Sequence, residues 1–137
     1  MTSRHDGVRV LTFGTFDVFH SGHLRLLERA AALGDELVVG ISSDELNEAK
    51  KGRAPVYALA DRMAIVRALR CVAGVFVERS LEAKREYLVE QGADVLVMGD
   101  DWTGRFDHLS DVCEVRYLPR TPSVSTTAII EQIRGET

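Results

Sequence analysis

The sequence predicts an α/β fold: one domain over residues 1–137, built on a five-stranded parallel sheet flanked by helices, with residues 1–7 as a flexible lead-in. Two observations carry this. Short, nearly continuous apolar runs recur along the chain, the pattern of parallel strands covered on both faces. Between them lie helix-length stretches with apolar residues three and four apart, and that alternation implies βαβ units with right-handed crossovers.

Val8 to Phe13 reads as the first strand, and Leu24, Leu27, Ala30 and Ala31 mark the inner face of the helix that follows, with Gly34 as its stop. Glu36 to Ser42 is the second strand. Ser43 to Arg53 is polar and reads as a loop, with Lys50, Lys51 and Arg53 concentrating positive charge around Gly52; a solvated loop and a lid over phosphates both fit. Ala60 to Arg70 reads as a helix with Met63, Val66, Ala68 and Leu69 inward. Val72 to Val77 is the third strand, Leu81 to Gln91 a helix stopped by Gly92, Asp94 to Gly99 the fourth strand, Val112 to Leu118 the fifth, and Ser125 to Arg134 a closing helix. Ligands of such sheets bind beyond the carboxyl ends of the strands. The segments at Gly14, Ser42, Gly99 and Pro119 all follow strands, so they can converge at one edge.

The composition excludes several classes. A chain of 137 residues with 45% hydrophobic content can bury a core of its own. A net charge of -4 provides no global basic field of the kind that binds nucleic acid. No apolar run approaches membrane-spanning length, and the polar start lacks a signal core. Cys71 and Cys113 each sit in an apolar run and read as buried free thiols, which suits a cytoplasmic protein.

The most informative stretch is Gly14-Thr15-Phe16-Asp17-Val18-Phe19-His20-Ser21-Gly22-His23, a glycine-containing turn from a strand into a helix. Glycine permits a tight turn, and free N–H groups at a helix start attract anions. Two histidines three residues apart fall on one side of that start. Each can donate to a phosphate oxygen where negative charge builds up. Ordinary helix-start histidines or a metal site are the alternatives, and no Cys or third His stands nearby at ligand spacing.

Two further stretches could complete a site. Gly99-Asp100-Asp101-Trp102 offers close backbone approach, carboxylates for ribose hydroxyls or a base amino group, and a flat aromatic wall. A surface turn carrying one tryptophan is the plainer reading. Arg120-Thr121 and Ser125-Thr126-Thr127 place a guanidinium fork beside a capped helix start, a second anion site, although Ser/Thr caps are common in any helix.

Gly14-Thr15-Phe16-Asp17 followed by His20-Ser21-Gly22-His23 resembles the signature of the cytidylyltransferase-like nucleotidyltransferases, a Rossmann-like fold of the H-x-G-H type. With Gly99-Asp100-Asp101-Trp102, Tyr117-Leu118-Pro119-Arg120-Thr121 and Ser125-Thr126-Thr127, the likeness narrows to the bacterial glycerol-3-phosphate cytidylyltransferase branch, from Thr12 to the last helix. The resemblance implies transfer of CMP from CTP to a small phosphorylated alcohol, with Mg2+ accompanying the CTP, in a homodimer. It implies His20, His23 and Arg120 as catalytic residues. Nucleotide contacts are implied for Gly14, Thr15, Phe16, Asp17, Ser21, Gly22, Arg70, Gly99, Asp101, Trp102, Thr121, Ser125, Thr126 and Thr127. Lys50 and Lys84 are implied as acceptor contacts; metal ligands are not indicated. The chain departs from the family's usual pattern at Cys71 and Ala73, where tyrosine and aspartate are usual, at Gly52, where a second lysine falls, and at Ser123, in place of a glycine. These departures touch the dimer-forming and acceptor-binding regions more than the phosphate chemistry.

Overall fold

The computed structural model describes residues 7–121 and 125–135. The expected flexibility of residues 1–6 and the departure at Ser123 lie outside that range. In chain order the elements are β1 (Arg9–Gly14), α1 (Ser21–Ala31), β2 (Glu36–Ser42), α2 (Asp44–Lys51), α3 (Leu59–Arg67), β3 (Gly74–Glu78), α4 (Lys84–Gln91), β4 (Val95–Gly99), β5 (Glu114–Leu118) and α5 (Thr126–Gly135). Two 3-10 turns, Asp100–Trp102 and Asp107–Leu109, lie between β4 and β5.

All four strand pairings are parallel, in the order β3-β2-β1-β4-β5. Alternation along each strand divides the core in two. Val10, Leu37, Val39, Ile41, Val95 and Val97 face Leu27 and Ala30 of α1 and Val66 of α3. Leu11, Phe13, Val38, Leu96 and Met98 face Leu88 of α4 together with Leu109 and Cys113. Each central strand is therefore apolar on both faces, which is why its sequence shows a continuous run rather than an alternating one. The strand order reverses between β1 and β4, and a crevice opens there at the carboxyl ends.

Three expectations are corrected. The segment read as a polar loop holds helix α2: Ser43 Oγ accepts the Leu46 N–H at 3.1 Å as its N-cap, and Gly52 ends it in the left-handed conformation at φ 76°. Lys50 and Lys51 are thus the last turn of a helix, where positive charge also suits the helix dipole. The α3 helix stops at Arg67, three residues early, and its buried face carries Arg62 and Val66 while Ala68 is exposed. Gly34 is not a left-handed stop. It is needed because a Cβ there would come within 2.7 Å of the Val8 carbonyl and the Val10 side chain.

Candidate active site

The turn between β1 and α1 is shaped by residues other than its glycine. The left-handed positions are Phe16, at φ 54°, and Val18, at φ 47°. A β-branched residue there is strained, and such strain persists only where surroundings enforce it. Asp17 enforces it: Oδ1 accepts the N–H groups of Val18 at 3.1 Å and Tyr57 at 2.8 Å, and Oδ2 accepts the Val56 N–H at 2.7 Å. Its carboxylate is consumed by the scaffold, so what Asp17 presents to a ligand is backbone. Arg62, 0% exposed, locks the same turn by donating to the carbonyls of Thr15, Ser42 and Tyr57 and pairing with Asp44 at 2.6 Å. Thr15 is fixed from its side chain as well, donating to buried Asn47 at 2.7 Å.

The two histidines cap α1 reciprocally. His20 Nδ1 accepts the Gly22 N–H at 3.1 Å, and His23 Nδ1 accepts the His20 N–H at 3.2 Å. Both Nδ1 atoms are acceptors, so in each neutral ring Nε2 carries the proton. The rings stack with centroids 3.7 Å apart, and Phe16 packs edge-on against His23. Burial, then the neighbouring His20, push His23 down to about 4, with Asp17 opposing. Burial and Arg120 lower His20 as well. Two neutral N–H donors side by side suit a polyanion without requiring a proton from solution.

A cavity of about 600 Å³ opens beside His23, lined by Gly14, Thr15, Phe16, Asp17, Gly99, Asp101 and Trp102 near the β1–β4 crevice. Lys50, Glu78 and Lys84 line the same cavity. A second hollow of about 260 Å³ joins His20, Gly22 and His23 to Arg120, Thr121, Ser125, Thr126 and Thr127. Arg120, Thr126 and Thr127 border both. Ser125 Oγ caps α5 by accepting the Ala128 N–H at 3.0 Å, and Thr126 donates to the Asp17 carbonyl at 2.8 Å, tying that helix start to the histidine turn. Arg120 lies 3.7 Å from Asp101 and is more than half exposed.

Ser21 and Arg70 are exposed and line neither hollow. Ser21 is the first residue of α1, and Arg70 lies three residues past the early end of α3. Sequence reasoning missed Asn47, Arg62 and Glu78. Glu78 directly follows an apolar run at the carboxyl end of a strand, which was the available signal. Among the described residues no group of three His, Cys, Asp or Glu side chains could hold a metal ion. Cys71 and Cys113 are free thiols, both raised by burial.

Residues 11–132 match the Cytidylyltransferase-like family model. The chain is 50% identical over 127 residues to the glycerol-3-phosphate cytidylyltransferase of Bacillus subtilis (strain 168), covering 93% of this chain and 98% of that one. It is 46% identical over 121 residues to the protein of the same name from Bacillus spizizenii, covering 88% and 93%. In fold it resembles the crystal structure of a lipopolysaccharide core biosynthesis protein from Thermoplasma volcanium GSS1, with a TM-score of 0.72 at 23% identity over 84% of this chain and 98% of that one. With its doubly covered parallel sheet and its histidine-capped helix at the strand-order reversal, the chain belongs to the cytidylyltransferase-like family.

Proposed function

We propose that the chain transfers CMP from CTP to a small phosphorylated alcohol, sn-glycerol 3-phosphate foremost, yielding CDP-glycerol and pyrophosphate. The carrying observation is the stacked pair of neutral imidazoles, each anchored through Nδ1, facing Arg120 and the start of α5. An acceptor phosphate oxygen attacks the α-phosphorus in line; the new P–O bond forms as the bond to the bridging oxygen of the β-phosphate breaks. No protein nucleophile is needed. His20 and His23 donate from Nε2 to the α-phosphate and bridging oxygens, where charge grows. Arg120, Thr121, Ser125 and the amides of Thr126 and Thr127 hold the β- and γ-phosphates that leave as pyrophosphate.

The backbone of Gly14, Thr15, Phe16 and Asp17 supports the nucleotide from below, Gly22 admits the phosphates at the start of α1, and Gly99, Asp101 and Trp102 flank the nucleoside. Lys50 and Lys84 bind the acceptor. Mg2+ would arrive on CTP and would supply charge neutralisation on the triphosphate. A homodimer and a cytoplasmic location belong to the same proposal. They are supported by the family resemblance and, for location, by two free thiols and the absence, among the described residues, of a helix long and apolar enough to cross a membrane.

The test is pyrophosphate release across CTP, ATP, GTP and UTP, each with phosphorylated alcohols and phosphonates. CTP with glycerol 3-phosphate should be the preferred pair. Preference for ATP or for a phosphonate would replace the proposed substrates, and tight CTP binding without turnover would make the chain a nucleotide-binding module.

A further inference from the structure

We infer that Glu78 and Lys84 together read a hydroxyl group on the acceptor, and that Glu78 selects polyol phosphates over phosphates of plain or amino alcohols. The inference rests on the acceptor-binding reading above and deepens it. Glu78 is 2% and Lys84 4% exposed, yet both line the larger cavity. A carboxylate and an ammonium taken that far out of water need their full complement of partners.

They lack it among the described residues. Glu78 Oε2 lies 2.8 Å from Lys84 Nζ, and no hydrogen bond reaches the carboxylate from any other described group. A carboxylate has roughly four acceptor sites and an ammonium three donors, so capacity remains on both. The other neighbours of Nζ are aromatic faces, Phe13 at 3.9 Å and Phe106 at 5.1 Å, which accept no conventional hydrogen bond. Burial lowers Lys84 and Lys50 from their ordinary values, and Glu78 opposes the shift in both.

A spare acceptor and a spare donor, side by side in a nearly dry wall, match a hydroxyl, which donates to one and accepts from the other. A methyl group would cover both and satisfy neither. An ammonium on the ligand could donate to Glu78 but would meet the like charge of Lys84. Position agrees with chemistry. Gly99, Asp101, Trp102 and Arg120 approach the cavity from the β4 side, whereas Glu78 ends β3, beyond β2 on the opposite side of β1. Lys50, at the end of α2, stands on that same side and is left for the acceptor phosphate. The carbon end then extends toward Glu78 and Lys84.

The experiment compares initial rates with sn-glycerol 3-phosphate and n-propyl phosphate at saturating CTP, for the wild type and Glu78→Gln. The wild type should favour glycerol 3-phosphate in kcat/KM by about a hundredfold or more, as a site built around a ligand hydroxyl does. Glu78→Gln should shrink that ratio at least about tenfold, chiefly by raising KM for glycerol 3-phosphate. Equal losses on both substrates would assign Glu78 a merely structural role and overturn the inference. So would a wild type that uses propyl phosphate within about threefold of glycerol 3-phosphate, a readout that stands even if calorimetry shows that Glu78→Gln no longer binds CTP. Absence of pyrophosphate with every acceptor would instead overturn the proposed activity itself, taking this inference with it.

Discussion

Acidification should weaken the fold through His23 by an amount the structure sets. Its ring is pushed down to about 4, against an ordinary value near 6.5. The unfolded chain therefore binds a proton at this site between about pH 6.5 and pH 4 that the folded chain refuses. Stability contributed by the neutral ring is full above pH 6.5 and is lost as pH falls through that window. Between pH 7.5 and 4.5 linkage gives a loss of ~2.5 kcal/mol from this residue alone. The physical cause is burial against Phe16 and Phe19, the stacked His20 ring, and an Nδ1 lone pair already committed to the His20 N–H. Urea unfolding of the wild type and of His23→Gln at the two pH values isolates the effect, because the carboxylates titrate in both proteins. The wild type should lose ~2.5 kcal/mol more than the variant on acidification. Parallel losses would show that the ring titrates normally and would refute the neutral-donor argument for the site.

Four further outcomes follow from the same geometry. His23→Ala should lower kcat by about a hundredfold or more while CTP affinity, measured by calorimetry, changes far less, because its donor acts where charge develops. Arg120→Lys keeps the charge but loses the fork, so it should remain impaired and reduce the preference for CTP over CMP in binding. Lys50→Ala should raise the acceptor KM much more than Lys51→Ala does in steady-state kinetics at saturating CTP, since Lys50 lines the cavity within electrostatic reach of Glu78. Arg62→Met should cost about 3–5 kcal/mol in urea unfolding, because it strands the Asp44 charge and three carbonyls that the guanidinium now satisfies.

The sheet was legible in the sequence because each central strand is apolar on both faces, and Glu36–Ser42 is recovered to the residue. Helix α2 was not, although Ser43, the acids at Asp44 and Glu45, and Gly52 are ordinary start and stop signals. Its short span buries one polar residue, Asn47, so no apolar stripe marks it. The buried Arg62 occupies a position that helical spacing would reserve for an apolar residue. Only the fold brings it the carbonyls of Thr15 and Ser42. Asp17 was legible as part of a motif but its use was not, because its partners at Val56 and Tyr57 stand about forty residues away. The site's convergence was readable from segments that follow strands. The pairing of Glu78 with Lys84 was not, since it joins a strand end to the start of a helix across an intervening turn.

Gly52 illustrates how a departure from a family pattern acquires a physical meaning. At φ 76° it ends α2, and any side chain there is strained even though the space around it is open. The chain has a left-handed helix stop where the family resemblance implies a lysine. Lys50 and Lys51 in the preceding turn, with Arg53 beyond, border the cavity and supply its positive charge.

The most direct measurement follows the α-phosphorus. CTP labelled at the α-phosphate, incubated with sn-glycerol 3-phosphate and Mg2+, should yield one labelled CDP-glycerol and one unlabelled pyrophosphate per turnover, and His20→Ala with His23→Ala should abolish both together. Label recovered in CMP or inorganic phosphate, or full incorporation by the double variant, would contradict the account.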